Sequence, residues 1–181
     1  MNIITAAHCV MDKNSGKILR SRDFRVEVGV QDTRNTNDKR TYRVDSIMVH
    51  PKYSTSRNRG IDHDLALIKL QEPVKFTDFA QPINLFESNE VPTTNGIIVG
   101  WGEDQWRGKP THVLNMAEVP IRSNAECKEM LNTVESRDGH KRTYKNGKIV
   151  FIREGHLCAG YDKGGTDGCQ VSRVTCGRVV T

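Results

Sequence analysis

An all-β sandwich or barrel is the architecture this sequence predicts, on three observations. Apolar residues recur at period two in short runs. Proline, glycine and polar clusters interrupt those runs at regular spacing. Helix signals appear in one stretch only. The 181 residues suit one domain by length.

The elements follow in order. Ile3-Ile4-Thr5 reads as the inside of a strand. Arg25-Val26-Glu27-Val28-Gly29-Val30 alternates as a half-buried strand does. Residues 31–40 are polar and poor in apolar side chains, so they form a loop. Residues 42–49 alternate again and end at Pro51. Leu65-Ala66-Leu67-Ile68-Lys69-Leu70 is nearly continuous in apolar residues and stops at Glu72-Pro73. That pattern predicts a strand buried inside a barrel. Residues 82–92 form an irregular, proline-marked connection. Ile97-Ile98-Val99-Gly100-Trp101-Gly102 is the next strong strand, and residues 113–121 alternate again. Residues 123–133 carry the helix signals. Ser123 or Asn124 can cap the segment, Glu126 sits near its start, and Met130-Leu131 supply an apolar contact. Residues 135–146 are strongly polar and predict a surface insertion. Order resumes over residues 156–161, and Gly164-Gly165 marks a turn. There is no internal repeat and no low-complexity tract.

Charge and composition exclude several classes of function. The net charge is +5, but both signs are interspersed. Lys39-Arg40, Arg57 with Arg59, and Lys141-Arg142 sit in polar stretches rather than in one dense run. They read as solvated loop charge in preference to a heparin-like or nucleic-acid patch. Aromatic residues make up 6% of the chain and do not interleave with the basic ones. A platform for stacking single-stranded nucleic acid is therefore not expected. No apolar stretch approaches the length needed to span a bilayer, so no membrane partner is expected. The N-terminus has no basic segment followed by an apolar one. Because Met1 runs straight into strand-like residues, the true start is expected upstream.

The five cysteines are Cys9, Cys127, Cys158, Cys169 and Cys176. Their spacing matches no zinc template. Disulfides formed in an oxidising compartment are the better reading. An odd count leaves at least one thiol unpaired within this chain. No metal or cofactor is implied.

Several histidines and carboxylates are candidates for chemistry. On its own, His8 beside apolar residues reads as a satisfied core histidine. Asp64 reads as a strand cap, with Asp62 and His63 as neighbours that compete for either role. Asp167 in Gly-Gly-Thr-Asp-Gly reads as a turn aspartate.

The motifs taken together point further. Thr5-Ala6-Ala7-His8-Cys9 resembles the catalytic-histidine motif of the trypsin-like serine proteases. Asp64-Leu65-Ala66-Leu67-Ile68-Lys69-Leu70 resembles the family's aspartate strand. Pro82-Ile83-Asn84-Leu85 resembles the link between its two barrels, and Val99-Gly100-Trp101-Gly102 its Gly-Trp-Gly strand. Asn124-Ala125-Glu126-Cys127 and Leu157-Cys158-Ala159-Gly160-Tyr161 resemble the surroundings of a family disulfide. Residues 164–170 resemble the loop that leads into the nucleophile. All occur in family order and cover residues 3–170.

The resemblance implies two antiparallel six-stranded β-barrels of the chymotrypsin/trypsin type, both incomplete in this chain. Residues 1–83 would belong to the first barrel, residues 84–170 to the second, and residues 171–181 to a tail outside the family pattern. It implies a secreted serine endopeptidase, needing no cofactor, that cleaves proteins or peptides after Arg or Lys and meets protease inhibitors. His8 would be the general base. Asp64 would fix its tautomer and stabilise the imidazolium, with the apolar strand after it keeping the carboxylate dry. Asp167 would lie on the floor of the specificity pocket, with Gly168 leaving room beside it. Cys127 would pair with Cys158, closing a loop that contributes on the order of 3–4 kcal/mol. Cys9 and Cys169 would pair with cysteines outside this chain, and Cys176 has no family counterpart. In some relatives a calcium loop begins with glutamate at the place of Val30; Asp32 and Asp38 remain, and no bound calcium is expected.

The departures concern activity. Gly-Asp-Ser-Gly-Gly should follow Gln170, but Val171-Ser172-Arg173-Val174 stands there. Val171 occupies the place of a glycine whose N–H would line the oxyanion hole, and Arg173 the place of the serine. Ser172 is one position early and lacks flanking glycines. One oxyanion donor alone is worth roughly 10²–10³ in kcat, so the chain as written is expected to be inactive. The alternative is a non-catalytic protease homologue that binds proteins. Gln-Val-Ser is also encoded by CAG-GTG-AGY, the usual sequence across a splice donor, which suggests that residues 171–181 are translated intron. Barrels that lack strands have open edges, and the isolated chain is expected to be unstable or aggregation-prone.

Overall fold

The structure, a computed structural model, describes residues 1–35, 37, 39–56, 60–85, 92, 94–103, 108–133, 152 and 155–161. Along the described chain run β1 (Asn2–Thr5), β2 (Arg25–Val28), β3 (Arg40–Val49), β4 (Ser54–Ser56), β5 (Gly60–Asp62), β6 (Ala66–Leu70), β7 (Asn95–Gly100) and β8 (Asn115–Arg122). The helix α1 (Asn124–Thr133) and the strand β9 (Cys158–Ala159) complete the set. They form a four-stranded sheet ordered β1-β6-β3-β2, a β4-β5 hairpin and a three-stranded sheet ordered β7-β8-β9. Every pairing is antiparallel.

Alternation decides which face of the four-stranded sheet is buried. Tyr42 and Val44 of β3 and Ala66, Ile68 and Leu70 of β6 point into one core with Ala7, Val10 and Val74. The long apolar run of β6 is therefore not buried on both faces, as its sequence predicts. Leu65 is 53% exposed and Leu67 38%. Ile4 and Met48 lie level with Leu67 in the strand register and are exposed with it. An antiparallel sheet needs only one dry face, and here the second face carries an apolar row at Ile4, Leu67 and Met48 without burying it.

Local irregularities curl this sheet. The β3–β6 register shifts between Val44 and Ser46, which leaves Asp45 as a bulge residue. A bulge bends its strand and increases the right-handed twist. Strand β2 stops at Val28, short of the predicted Val30, because Gly29 takes φ 75°. That left-handed conformation suits glycine and breaks the extended ladder. The β4-β5 hairpin holds one apolar residue, Ile61, which is exposed; it carries no apolar alternation, and the sequence does not predict it.

The second sheet rests on the six-pair register of β7 with β8, from Asn95↔Pro120 to Gly100↔Asn115. Val119 and Cys127 are its buried residues. A disulfide joins Cys127 of α1 to Cys158 of β9, as the resemblance implies. Helix α1 begins with a capping box. Ser123 Oγ accepts the Glu126 N–H at 3.2 Å, and the Glu126 carboxylate accepts the Ser123 N–H at 2.8 Å. These Ser123 hydrogen bonds hold the Glu126 carboxyl below the usual range. Ser123 is thus the cap, and Asn124 is the first helical residue.

Loop 31–35 ties to the second sheet. Leu114 N–H donates to the Gln31 carbonyl at 2.8 Å, and Thr33 N–H to the His112 carbonyl at 2.9 Å. Trp101 Nε1–H also reaches the Gln31 carbonyl, at 3.3 Å. Within this loop Arg34 occupies both oxygens of Asp32, at 3.0 and 2.6 Å. Those bonds pull the Asp32 carboxyl down to about 2. No three His, Cys, Asp or Glu side chains gather as a metal-ligand set among the described residues. None of the described helices is long and apolar enough to cross a membrane. Asp38, Arg57, Arg59, the 135–146 insertion and residues 162–181 lie outside the described residues.

Truncating the shared core should cost more than any surface change. Ile68→Ala is expected to destabilise by about 2–5 kcal/mol, read from the shift of the urea unfolding midpoint. A loss below about 1 kcal/mol would show that this face of β6 is not the core.

Candidate active site

The register Thr5↔Ala66 between β1 and β6 brings together two chain segments that are distant in sequence. Just past the end of β1, Ala7–Cys9 forms a 3₁₀ turn. Ala7 and Val10 are both fully buried and anchor the two sides of that turn. His8 lies between them and points outward, with its side chain 49% exposed. Just before β6, Asp64 leaves a tight turn in which Leu65 N–H donates to the His63 carbonyl at 2.7 Å.

Asp64 meets His8 twice. Its Oδ1 accepts the backbone N–H of His8 at 2.8 Å. Its Oδ2 lies 2.6 Å from Nδ1 of the same residue. A carboxylate can only accept, so Nδ1 carries the proton, and the neutral ring keeps the Nε2 lone pair free to take another. The backbone contact fixes the carboxylate, and the carboxylate then fixes the ring. Nε2 lies 3.4 Å from Cys9 Sγ. That sulfur is part of a disulfide and has no proton to give, so the contact leaves the lone pair of neutral His8 intact.

The structure separates the competing neighbours. His63 pairs with Asp62, with Nδ1 and Oδ1 3.2 Å apart. It stacks on His50 at 4.8 Å between ring centroids and 14° between planes. His63 holds φ 51°, an uncommon conformation for a residue with a Cβ. The Asp62 carboxylate, which accepts the His63 N–H at 3.1 Å, and the His50 ring hold it there. Asp62 thus pairs with His63, and Asp64 with His8.

Two sequence expectations need correction. The Asp64 side chain is 28% exposed, so the apolar strand behind it does not keep the carboxylate dry. Burial of β6 is one-sided and begins at Ala66. Cys9 is disulfide-bonded in this structure, so its bond does not wait for a cysteine outside the chain. Asp167 lies outside the described residues and is not brought to the His8–Asp64 pair by anything described.

Sequence reasoning did not single out Tyr53. It packs partly buried against the core, and its N–H donates to the His50 carbonyl at 2.9 Å. Burial, and secondarily the Asp64 charge, push its phenol above the ordinary 10.0. A lone tyrosine after His50-Pro51-Lys52 gives no sequence signal for that proximity.

Two comparisons with known proteins bear on this geometry. The sequence model of the Trypsin family matches residues 1–171. Over 172 residues the chain is 35% identical to the serine proteinase Stubble of Drosophila melanogaster, covering 93% of this chain and 19% of that protein. The chain therefore spans less than a fifth of the length of that curated relative.

The Tyr53 environment generates a pH prediction. An acid whose pKa rises on folding stabilises the fold below its unfolded pKa. It loses that contribution as pH climbs through the folded value. Tyr53 should therefore support the fold up to about pH 10 and progressively less above it. Ultraviolet titration of the phenolates should show one late-titrating tyrosine that is missing in Tyr53→Phe. Asp64→Asn should lower its midpoint only in part, because burial is the larger cause. An unchanged set of midpoints in Tyr53→Phe would refute this assignment.

Proposed function

The chain belongs to the trypsin family of serine proteases, and from that membership we propose that His8 and Asp64 are the general-base half of a serine endopeptidase site. The observation that carries the proposal is the double engagement of Asp64 by the His8 N–H and Nδ1. It prepares Nε2 to take a proton from a nucleophile, while Asp64 stabilises the imidazolium that results. Asp167 is the proposed selector of Arg or Lys in protein substrates, because a carboxylate at a pocket floor pairs with a cationic side chain. The Cys127–Cys158 disulfide supports a secreted protein, since such bonds persist in oxidising compartments. Protease inhibitors that present Arg or Lys are proposed as further partners.

The reading divides at Gln170. In this chain Val171 and Arg173 take the places of an oxyanion-hole glycine and of the nucleophilic serine. A base without a nucleophile binds but does not acylate, so we read this chain as catalytically inactive. That substitution favours a second reading, a non-catalytic homologue that binds proteins. A transcript with Gly-Asp-Ser-Gly-Gly codons after Gln170 would restore the first.

Sequencing cDNA across the Cys169 and Gln170 codons, together with fluorophosphonate labelling, separates the two readings. This chain is expected to remain unlabelled. A form carrying Gly-Asp-Ser-Gly-Gly after Gln170 is expected to label and to hydrolyse Arg and Lys esters. In that form Asp64→Asn should lower kcat by about 10⁴-fold, a figure that comes from this family's own reference case. Specific labelling of the present chain would overturn its inactivity. Loss of less than about tenfold in the Asp64 variant would remove Asp64 from the proposed role.

A further inference from the structure

Away from His8 and Asp64, three arginines that are scattered in sequence meet on the outer side of the four-stranded sheet. Arg25 and Arg43 are direct partners in the β2–β3 register, both exposed. Like charges placed opposite each other across a ladder are destabilising. Arg22 stands beside them on the 3₁₀ turn Ser21–Asp23. Together they line an open depression of about 240 Å³, which Ser21, Asp45 and Gln71 also border.

The charge of this cluster is not neutralised from within. Nearby Arg20 is matched by Asp23 at 2.9 Å, and Lys39 by Glu27 at 3.0 Å. Asp45 lies 3.4 Å from Lys69. Among the described residues no carboxylate forms an ion pair with Arg22, Arg25 or Arg43. Arg25 is held in place by its own chain. Its Nη1 donates to the Arg22 carbonyl at 3.1 Å and to the Phe24 carbonyl at 2.7 Å. A guanidinium has five N–H donors, so the rest remain for a ligand without further ordering cost.

We propose that this depression binds the sulfo groups of a sulfated polysaccharide. A tetrahedral sulfate ester offers three terminal oxygens in different directions, one for each guanidinium. A planar carboxylate offers two oxygens that a single guanidinium fork already saturates. Fork geometry favours arginine over lysine for such groups. The depression is larger than one oxyanion, and Ser21 and Gln71 supply polar groups for the hydroxyls of the sugar ring that carries it. Free sulfate or phosphate shares the oxyanion chemistry but lacks that ring, so it should compete only weakly.

Binding of a size-defined heparin oligosaccharide to the full chain, followed calorimetrically at two salt concentrations, tests the proposal. Binding should weaken with salt, as surface charge pairs do. The Arg22→Ala/Arg43→Ala pair removes two charge-assisted contacts and should weaken it by about tenfold or more. A control pair, Lys109→Ala/Lys128→Ala, removes the same charge from exposed sites elsewhere and should change it by less than about twofold. Arg43→Lys keeps the charge, loses the fork and should fall between. Circular dichroism and thermal melts establish that each variant is folded, and Arg43→Lys provides a mild change should the double variant not fold. An equal loss in both double variants, or no loss in Arg43→Lys, would reduce the effect to undirected charge and overturn the proposal. So would poly-glutamate binding as tightly with the same dependence, or inorganic sulfate competing at the oligosaccharide's own concentration.

Discussion

The pairing of β1 with β6 is the constraint on which the site depends. Thr5 lies opposite Ala66, so the residues just beyond each strand end must meet. His8 and Asp64 are 56 positions apart in sequence, and this one register makes them neighbours. A slip of one residue would turn every side chain of β6 to the other face. Ala66, Ile68 and Leu70 would then leave the core, and the cost of exposing them protects the register. The hydrophobic pattern of a strand is what sets the geometry of a polar pair.

A second layer of support lies around Asp64. The chain must turn sharply between β5 and β6, and His63 carries that turn in the left-handed region. Such a conformation persists only where its surroundings over-determine it. Here the Asp62 carboxylate, the His50 ring and the short Leu65 hydrogen bond act together. The result is a division of labour between adjacent residues. Asp62 stabilises the turn, His63 forms it, and Asp64 faces His8. Tyr53 and His50 reach the same place from the segment between β3 and β4, so the site draws on three stretches of the first sheet.

Much of this was legible in the sequence, and the exceptions have physical causes. The alternation of residues 25–30 and 42–49 marks β2 and β3 to within two residues, because one face of each is buried. The Ser123-to-Glu126 spacing marks the start of α1, because a capping box is local chemistry. His8 and Asp64 were legible through the motifs that flank them, since neither residue alone distinguishes a site from a core or a cap. Burial of β6 was misread, because a continuous apolar run does not say whether one face or both are covered. The β4-β5 hairpin has Ile61 as its single apolar residue and so shows no alternation. The arginine cluster was invisible for a different reason. Arg22, Arg25 and Arg43 are brought together by the β2–β3 register, and the basic pairs that stand out in sequence are other residues.

The dyad and the nucleophile have separate structural origins, and this bears on what the dyad can mean. His8 and Asp64 are brought together by the β1–β6 register and by the core that protects it, which lie within residues 1–74. The proposed specificity residue Asp167 and the Val171-Ser172-Arg173-Val174 segment belong to the far end of the sequence. Preorganised oxyanion donors usually supply the largest single part of the rate, and in this family they come from the segment that carries the nucleophile. A well-formed His–Asp pair is consequently evidence of scaffold and ancestry, and by itself it carries little of the rate. The same base-and-orienter geometry is compatible with hydrolysis in a chain that supplies serine and oxyanion hole, and with binding alone in a chain that does not.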